Sequence, residues 1–195
     1  DELFGPVSIP GLKKEDYRRL TDGFLPSAHI GFLDEIFKAN SAILNSLLTL
    51  VNERVFHHGR HRDDVPLLSV IGASNELPDP GSGLGALYDR FLVRLVVPPL
   101  SGTDGFLKVA MGQLPTFSPA EKDLLTLTDL ASIREEAVKV VVPESVRNAL
   151  ADLWRQARER DWGVSDRRWR QAISMLKVAA STDGRDQVAL ADLLL

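Results

Sequence analysis

The chain has 195 residues, 44% apolar and 26% charged, with no cysteine and a formal net charge of −4. These values suit one large or two small globular domains, exclude disulfides and thiolate metal sites, and give no global attraction to nucleic acid. No apolar run reaches the roughly 18 residues of a membrane span, and Asp1 and Glu2 open the chain where a secretion signal would be basic, so the expected location is cytoplasmic.

The first hundred residues alternate short apolar runs with amphipathic stretches, the pattern of an α/β domain. Residues 25–33 are predicted as the first strand, running into the string Ile30-Gly31-Phe32-Leu33-Asp34-Glu35. An apolar run of this kind reads as a buried parallel strand, and acids at its carboxyl end stand where α/β sheets bind ligands. One such acid can hold a hydrated Mg²⁺, while its neighbour orients or deprotonates a water that attacks a phosphate. The same pair also suits a helix start, where carboxylates favour the dipole. A helix is predicted over 41–54, with Ile43, Leu44, Leu47, Leu48, Leu50 and Val51 on one face. Strands are predicted over 55–61 and 64–73 around a turn at Gly59, and the polar stop after the second is Asn75. A loop with Pro78, Pro80, Gly81, Gly83 and Gly85 follows, then a short helix over 86–91 and a third apolar strand over 93–97.

Pro98-Pro99 and Ser101-Gly102-Thr103 break this pattern, because consecutive prolines continue neither strand nor helix. The expected division is therefore an α/β part over 1–99, a linker over 100–118 and an all-α domain over 119–195. Helices are predicted over 119–130, 133–140, 144–160, 166–180 and 190–194. Ser118-Pro119-Ala120-Glu121 reads as a capping box, Val142-Pro143-Glu144 as a second start and Asp183-Gly184-Arg185 as a stop.

In a parallel sheet, Asp34-Glu35 and Asn75 would lie side by side at the strands' carboxyl ends. A carboxylate pair with an amide suits phosphoanhydride hydrolysis, which needs a metal ligand, a base and a group that places water or phosphate. Taken alone, Asn75 also reads as a turn residue ahead of Pro78. Arg90 and Arg94, after Asp89, suit stabilisation of a transferring phosphoryl group, although either alone reads equally as an ion-paired surface arginine. Arg167 and Arg168 open a helix capped by Ser165 or Asp166, where cations oppose the dipole unless an anion is present. His57, His58 and His61 read as solvated at a hairpin tip, for want of carboxylate backing. Trp154, Trp162 and Trp169 read as core or groove packing in preference to a stacking platform for bases, and the arginines between 155 and 170 as a mixed solvated face broken by Glu159, Asp161 and Asp166.

Taken in order, these features resemble an AAA+ ATPase, more closely the MoxR family and within it the regulatory ATPase variant group. The strings that carry the resemblance are Asp1-Glu2-Leu3-Phe4-Gly5-Pro6, Phe32-Leu33-Asp34-Glu35-Ile36, Asn52-Glu53-Arg54, Ala73-Ser74-Asn75-Glu76-Leu77-Pro78, Leu87-Tyr88-Asp89-Arg90 and Val164-Ser165-Asp166-Arg167-Arg168-Trp169. The resemblance implies a partial αβα sandwich of the P-loop NTPase type with a parallel sheet, followed by an all-α helical lid. It implies ATP and Mg²⁺ as cofactors, with Asp34 and Glu35 as the Walker B pair, Asp34 assisting the metal through water and Glu35 activating water. Asn75 is then sensor 1, Arg90 the arginine finger with Arg94 as the lesser candidate, and Arg167 the sensor 2 arginine with Arg168 as its stand-in. The family's helix-2 insert falls within residues 4–24 and its pre-sensor-1 hairpin within 55–66. It further implies a homo-oligomeric, hexameric ring that remodels or matures client proteins beside a von Willebrand factor A domain partner.

One departure is large: no Gly-x-x-x-x-Gly-Lys-Ser/Thr occurs in the chain. The expectation is that these residues form the carboxyl-terminal part of an AAA+ module whose P-loop precedes them, inactive alone and with apolar sheet surface exposed. Two other readings stand beside it: a non-catalytic assembly or adaptor module, and a DNA-linked AAA+ motor, for which Arg54, Arg60 and Arg62 would supply local positive charge.

Overall fold

The computed structural model describes residues 2–38, 41–79, 83–112 and 116–195. Asp1 of the opening string, Pro80 and Gly81 of the predicted loop, and 113–115 of the expected linker lie outside the described residues. The chain divides into two compact units, Asp1–Arg90 and Phe91–Leu195.

The first unit begins with α1 (Ile9–Leu12), capped by Ser8, whose Oγ accepts the Gly11 N–H at 3.2 Å. Strand β1 (Ile30–Leu33) pairs in parallel with β4 (Ser69–Gly72), Ile30 opposite Ser69 and Leu33 opposite Gly72. Between them come helix α2 (Ser41–Glu53) and an antiparallel hairpin of β2 (Val55–His58) and β3 (His61–Asp64). Helix α3 (Gly85–Tyr88) closes the unit. Buried residues are Leu44, Leu47 and Leu50 of α2, Val55 and Phe56 of β2, and Val65 and Leu67. The Phe56 ring stacks on Phe4 at 5.2 Å.

Several expected strands are shorter or divided, and prolines explain two of the differences. Pro26 sits in a 3-10 turn, Leu25–Ser27, so the predicted strand over 25–33 is reduced to its last four residues. Pro66 has no N–H to donate, so the predicted strand over 64–73 splits into the end of the hairpin and the separate β4. Nor is the sheet buried on both faces. Ile30, Phe32 and Ile71 are 53–65% exposed, because two paired strands offer no second covering layer among the described residues. Gly31 is the buried residue of β1, and a β-carbon there would meet Leu25 Cδ1 at 2.4 Å. The predicted strand over 93–97 forms no ladder among the described residues, and Val93, Leu95, Val96 and Val97 are 73–88% exposed. The stretch belongs to the second unit, in which no strand runs beside it among the described residues.

In that second unit, α4 (Thr103–Ala110) occupies part of the stretch expected as linker. Helix α5 (Leu127–Lys139) replaces two predicted helices over 119–130 and 133–140. Its start is fixed at Thr126: Oγ1 accepts the Asp129 N–H at 3.1 Å and Asp129 Oδ2 accepts the Thr126 N–H at 2.8 Å. The expected box at Ser118 yields only a 3-10 turn, Glu121–Asp123. Helices α6 (Glu144–Glu159) and α7 (Asp166–Thr182) begin at the expected signals, and α7 ends before Gly184, whose φ of +72° suits glycine. Val140, Val146, Leu176, Ala180 and Val188 form the core, each at most 5% exposed. A 3-10 turn, Leu190–Leu194, is anchored by Arg185, which donates to both carboxylate oxygens of Asp192 at 2.7 and 2.8 Å.

Candidate functional site

The parallel ladder continues just beyond the two strands. The Ala73 N–H donates to the Leu33 carbonyl at 2.8 Å and the Ile36 N–H to the Ala73 carbonyl at 3.1 Å. The segments that carry Asp34-Glu35 and Asn75 are therefore held together as they leave β1 and β4. Glu35 has φ of +50°, a left-handed conformation that disfavours a residue with a β-carbon. Asp34 supports the turn, its Oδ1 accepting the Glu35 N–H at 2.9 Å.

The Glu35 side chain is held from two sides. Asn75 Nδ2 donates to Oε1 at 2.9 Å, and Lys38 Nζ lies 3.2 Å from Oε2. The Oε2 atom is itself buried and has no other polar partner among the described residues. The Asp34 carboxylate stands beside this arrangement, exposed at the end of the strand. Glu35, Asn75 and Lys38 thus meet beside Asp34 at the carboxyl end of a parallel strand pair, the end at which α/β sheets bind ligands.

Arg90 is in the same unit, after α3. Its Nε donates to Asn52 Oδ1 at 2.8 Å, and its terminal nitrogen donates to the Ala86 carbonyl. The guanidinium is thereby fixed to the last turn of α2. The other predicted arginines belong to the second unit. Arg94 Nε donates to the Phe91 carbonyl at 3.1 Å. Arg167 is exposed on the first turn of α7, while Arg168 is half-buried and donates to the Leu92 carbonyl at 3.3 Å. Of the two caps weighed for this helix, Ser165 takes the role, its Oγ accepting the Arg168 N–H.

The sequence singled out Asn52 only within the string Asn52-Glu53-Arg54, with no link to Arg90, and did not single out Lys38. The signal for Lys38 was its place three residues after Glu35, but meeting it requires the 3-10 turn Ile36–Lys38 that the left-handed Glu35 begins.

His57 is exposed as expected, whereas His58 and His61 are engaged by carboxylates. His58 is only 6% exposed; its Nδ1 accepts the Arg19 N–H at 2.9 Å, which leaves the ring proton on Nε2 facing Asp63 Oδ2 at 2.7 Å. His61 Nε2 lies 2.7 Å from Asp16 Oδ1, and this contact holds the Asp16 carboxyl below its ordinary value. Both rings are thus backed by carboxylates and tie the hairpin to residues 16–19, His58 buried and His61 still partly exposed. Trp154 and Trp162 pack at the surface, not in the core: 43% and 50% exposed, they lie under Arg158 and Arg160, 5.2 and 5.5 Å from the guanidinium carbons, and Trp154 lines a groove with Trp169.

Comparison with known proteins places these features in a wider setting. The family of the MoxR domain in the MoxR-vWA-beta-propeller ternary systems matches residues 1–112, and the AAA lid domain family matches residues 126–195. Two uncharacterized proteins of Methanocaldococcus jannaschii are 40% and 39% identical over 194 residues, which is 99% of this chain. The chain spans about half the length of these relatives, 50% and 51%. A crystal structure from Cytophaga hutchinsonii, presented as a candidate ATPase, superposes with a TM-score of 0.69 at 18% identity, over 99% of this chain and 62% of that one. At that identity the likeness establishes the fold alone: a parallel sheet with helices followed by an all-helical lid, a partial AAA+ architecture.

Proposed function

Because the chain belongs to the family of MoxR domains found in MoxR-vWA-beta-propeller ternary systems and carries an AAA lid, we propose that this AAA+ ATPase module couples Mg²⁺-dependent ATP hydrolysis in a hexameric ring to chaperone-like remodelling or maturation of client protein complexes. The observation that carries the reading is the junction beyond β1 and β4, where Asn75 donates to Glu35 beside the exposed Asp34. In this reading Asp34 assists Mg²⁺ through water, Glu35 accepts the proton of the attacking water, and Asn75 orients that water and reads the γ-phosphate. Arg90 takes the part of the arginine finger and Arg167 that of the sensor 2 arginine, with Arg94 and Arg168 as the alternatives for those two roles.

The donor set fits the metal, since Mg²⁺ retains several waters and takes one or two carboxylates in sites of this kind. When bound, Mg²⁺ neutralises charge on the phosphates of ATP. The phosphate cradle is a different matter. No Gly-x-x-x-x-Gly-Lys string occurs in the 195 residues, so in this reading the cradle is supplied by another part of the protein and the isolated residues turn over no ATP.

A von Willebrand factor A domain partner and a cytoplasmic site of action belong to the same reading, the first supported by the family description. Closer kinship to the regulatory ATPase variant group is supported by Leu87-Tyr88-Asp89-Arg90 and the Val164 to Trp169 string. A non-catalytic assembly module is the second reading, which a full-length protein without a phosphate loop would favour. Phosphate release by the full-length protein separates the two: turnover that chelation of Mg²⁺ abolishes supports the first, and ring assembly without turnover supports the second. Light scattering on the same sample reads the ring.

A further inference from the structure

Helices α5 and α7 leave an open groove of about 420 Å³ between them. Its apolar lining includes Val138, Ile173 and Val178, with Val138 76% exposed and Val178 36%. Arg134, Arg170 and Lys177 stand around it, and no carboxylate lines it. Among the described residues the guanidinium groups of Arg134 and Arg170 have no hydrogen-bond or ion-pair partner, and Asp166, one turn before Arg170, does not pair with it. Lys177 Nζ donates to the Val138 carbonyl at 3.3 Å, a neutral acceptor that leaves its charge uncompensated. In a chain of net charge −4, three cations around an apolar floor reverse the prevailing sign.

We propose that the α5–α7 groove is a docking surface for an acidic amphipathic helix of a partner protein. Apolar side chains of that helix cover the valines and the isoleucine, and its carboxylates meet the three cations. The spacing suits a helix, because Arg170 and Lys177 are two turns apart, about 10 Å along α7, the separation of carboxylates at positions i and i+7 of a partner. The charge pattern selects against a basic segment, so the partner differs in class from the basic helices that many grooves accept.

The test uses the full-length protein and three synthetic helical peptides of one length. The first has Leu at i, i+3 and i+7 flanked by Glu, the second has Lys in place of every Glu, and the third is a scramble of the first. Fluorescence anisotropy is expected to show binding of the acidic peptide alone, weakening as salt rises. The surface variant Arg134→Glu/Arg170→Glu is expected to weaken that binding by about tenfold or more and to gain affinity for the Lys peptide. An unchanged thermal melt shows that the variant is folded. Equal binding of the acidic and scrambled peptides would overturn the proposal, as would acidic-peptide binding that the double substitution leaves unaltered. Binding of vesicles of anionic phospholipid in place of the peptide, or a change in oligomeric state with groove substitution and no peptide binding, would assign the groove to a lipid surface or to a second copy instead.

Discussion

At the scale of single residues, the candidate site depends on the left-handed Glu35, since that turn brings its carboxylate to both Asn75 and Lys38. If Asn75 places the attacking water, Asn75→Ala in the full-length protein lowers ATP turnover by about 100-fold while ATP affinity, read by equilibrium binding of a labelled nucleotide, changes little. Equal loss of affinity and turnover would assign Asn75 to nucleotide binding alone. The proximity of Asn75 and Glu35 was legible in advance, because two apolar runs ending in polar residues align those ends in a parallel pair. Lys38 was not legible, because it depends on a backbone conformation that no residue preference at Glu35 announces. Gly59 is the opposite case. Its φ is +64° and a β-carbon would lie 2.1 Å from the Tyr17 carbonyl, so Gly59→Ala is expected to destabilise the hairpin and its seat by at least about 1 kcal/mol. Chemical denaturation measures that loss, and a neutral outcome would mean that the hairpin does not rest on the 16–19 segment.

Secondary-structure elements show where local chemistry competes. Ser118-x-x-Glu121 and Thr126-x-x-Asp129 both offer a helix start, and the second wins with hydrogen bonds in both directions. The stretch 93–97 was legible as an apolar run, but not the fact that it joins no ladder among the described residues, since pairing is a property of neighbours that the run itself does not contain. In the lid, Leu176 is 5% exposed within the core, so Leu176→Ala costs about 2–5 kcal/mol, read as a lower denaturation midpoint. The Arg185–Asp192 pair carries a pH dependence. Arg185, then the Ala189 N–H, holds the Asp192 carboxyl below its ordinary 3.8. A lowered folded-state value means that the stabilisation is complete above the unfolded-state value and is lost as pH falls through the folded one. The lid's melting temperature is therefore expected to be less acid-sensitive below pH of about 4 in Asp192→Asn than in the parent, from a lower starting point. Parallel acid profiles for the two would remove the pair from the account.

At the scale of the molecule, each of the two units has a buried core of its own and also exposes large apolar side chains. The lid holds a core of its own between residues 140 and 188, and the family match to it spans 126–195. A polypeptide of those residues is expected to melt cooperatively by circular dichroism. The first unit exposes Ile30, Phe32 and Ile71 on its two-stranded parallel sheet. Asp34 and Glu35 follow the strand that carries Ile30 and Phe32, so the candidate site stands at the end of this partly exposed strand pair. The central claim is that Glu35 activates water in an ATPase site completed by the rest of the protein. It is tested most directly by measuring ATP binding and phosphate release together for the full-length protein and its Glu35→Gln variant. The predicted result is ATP bound at parental affinity with turnover reduced to background, and turnover retained at the parental rate would contradict it.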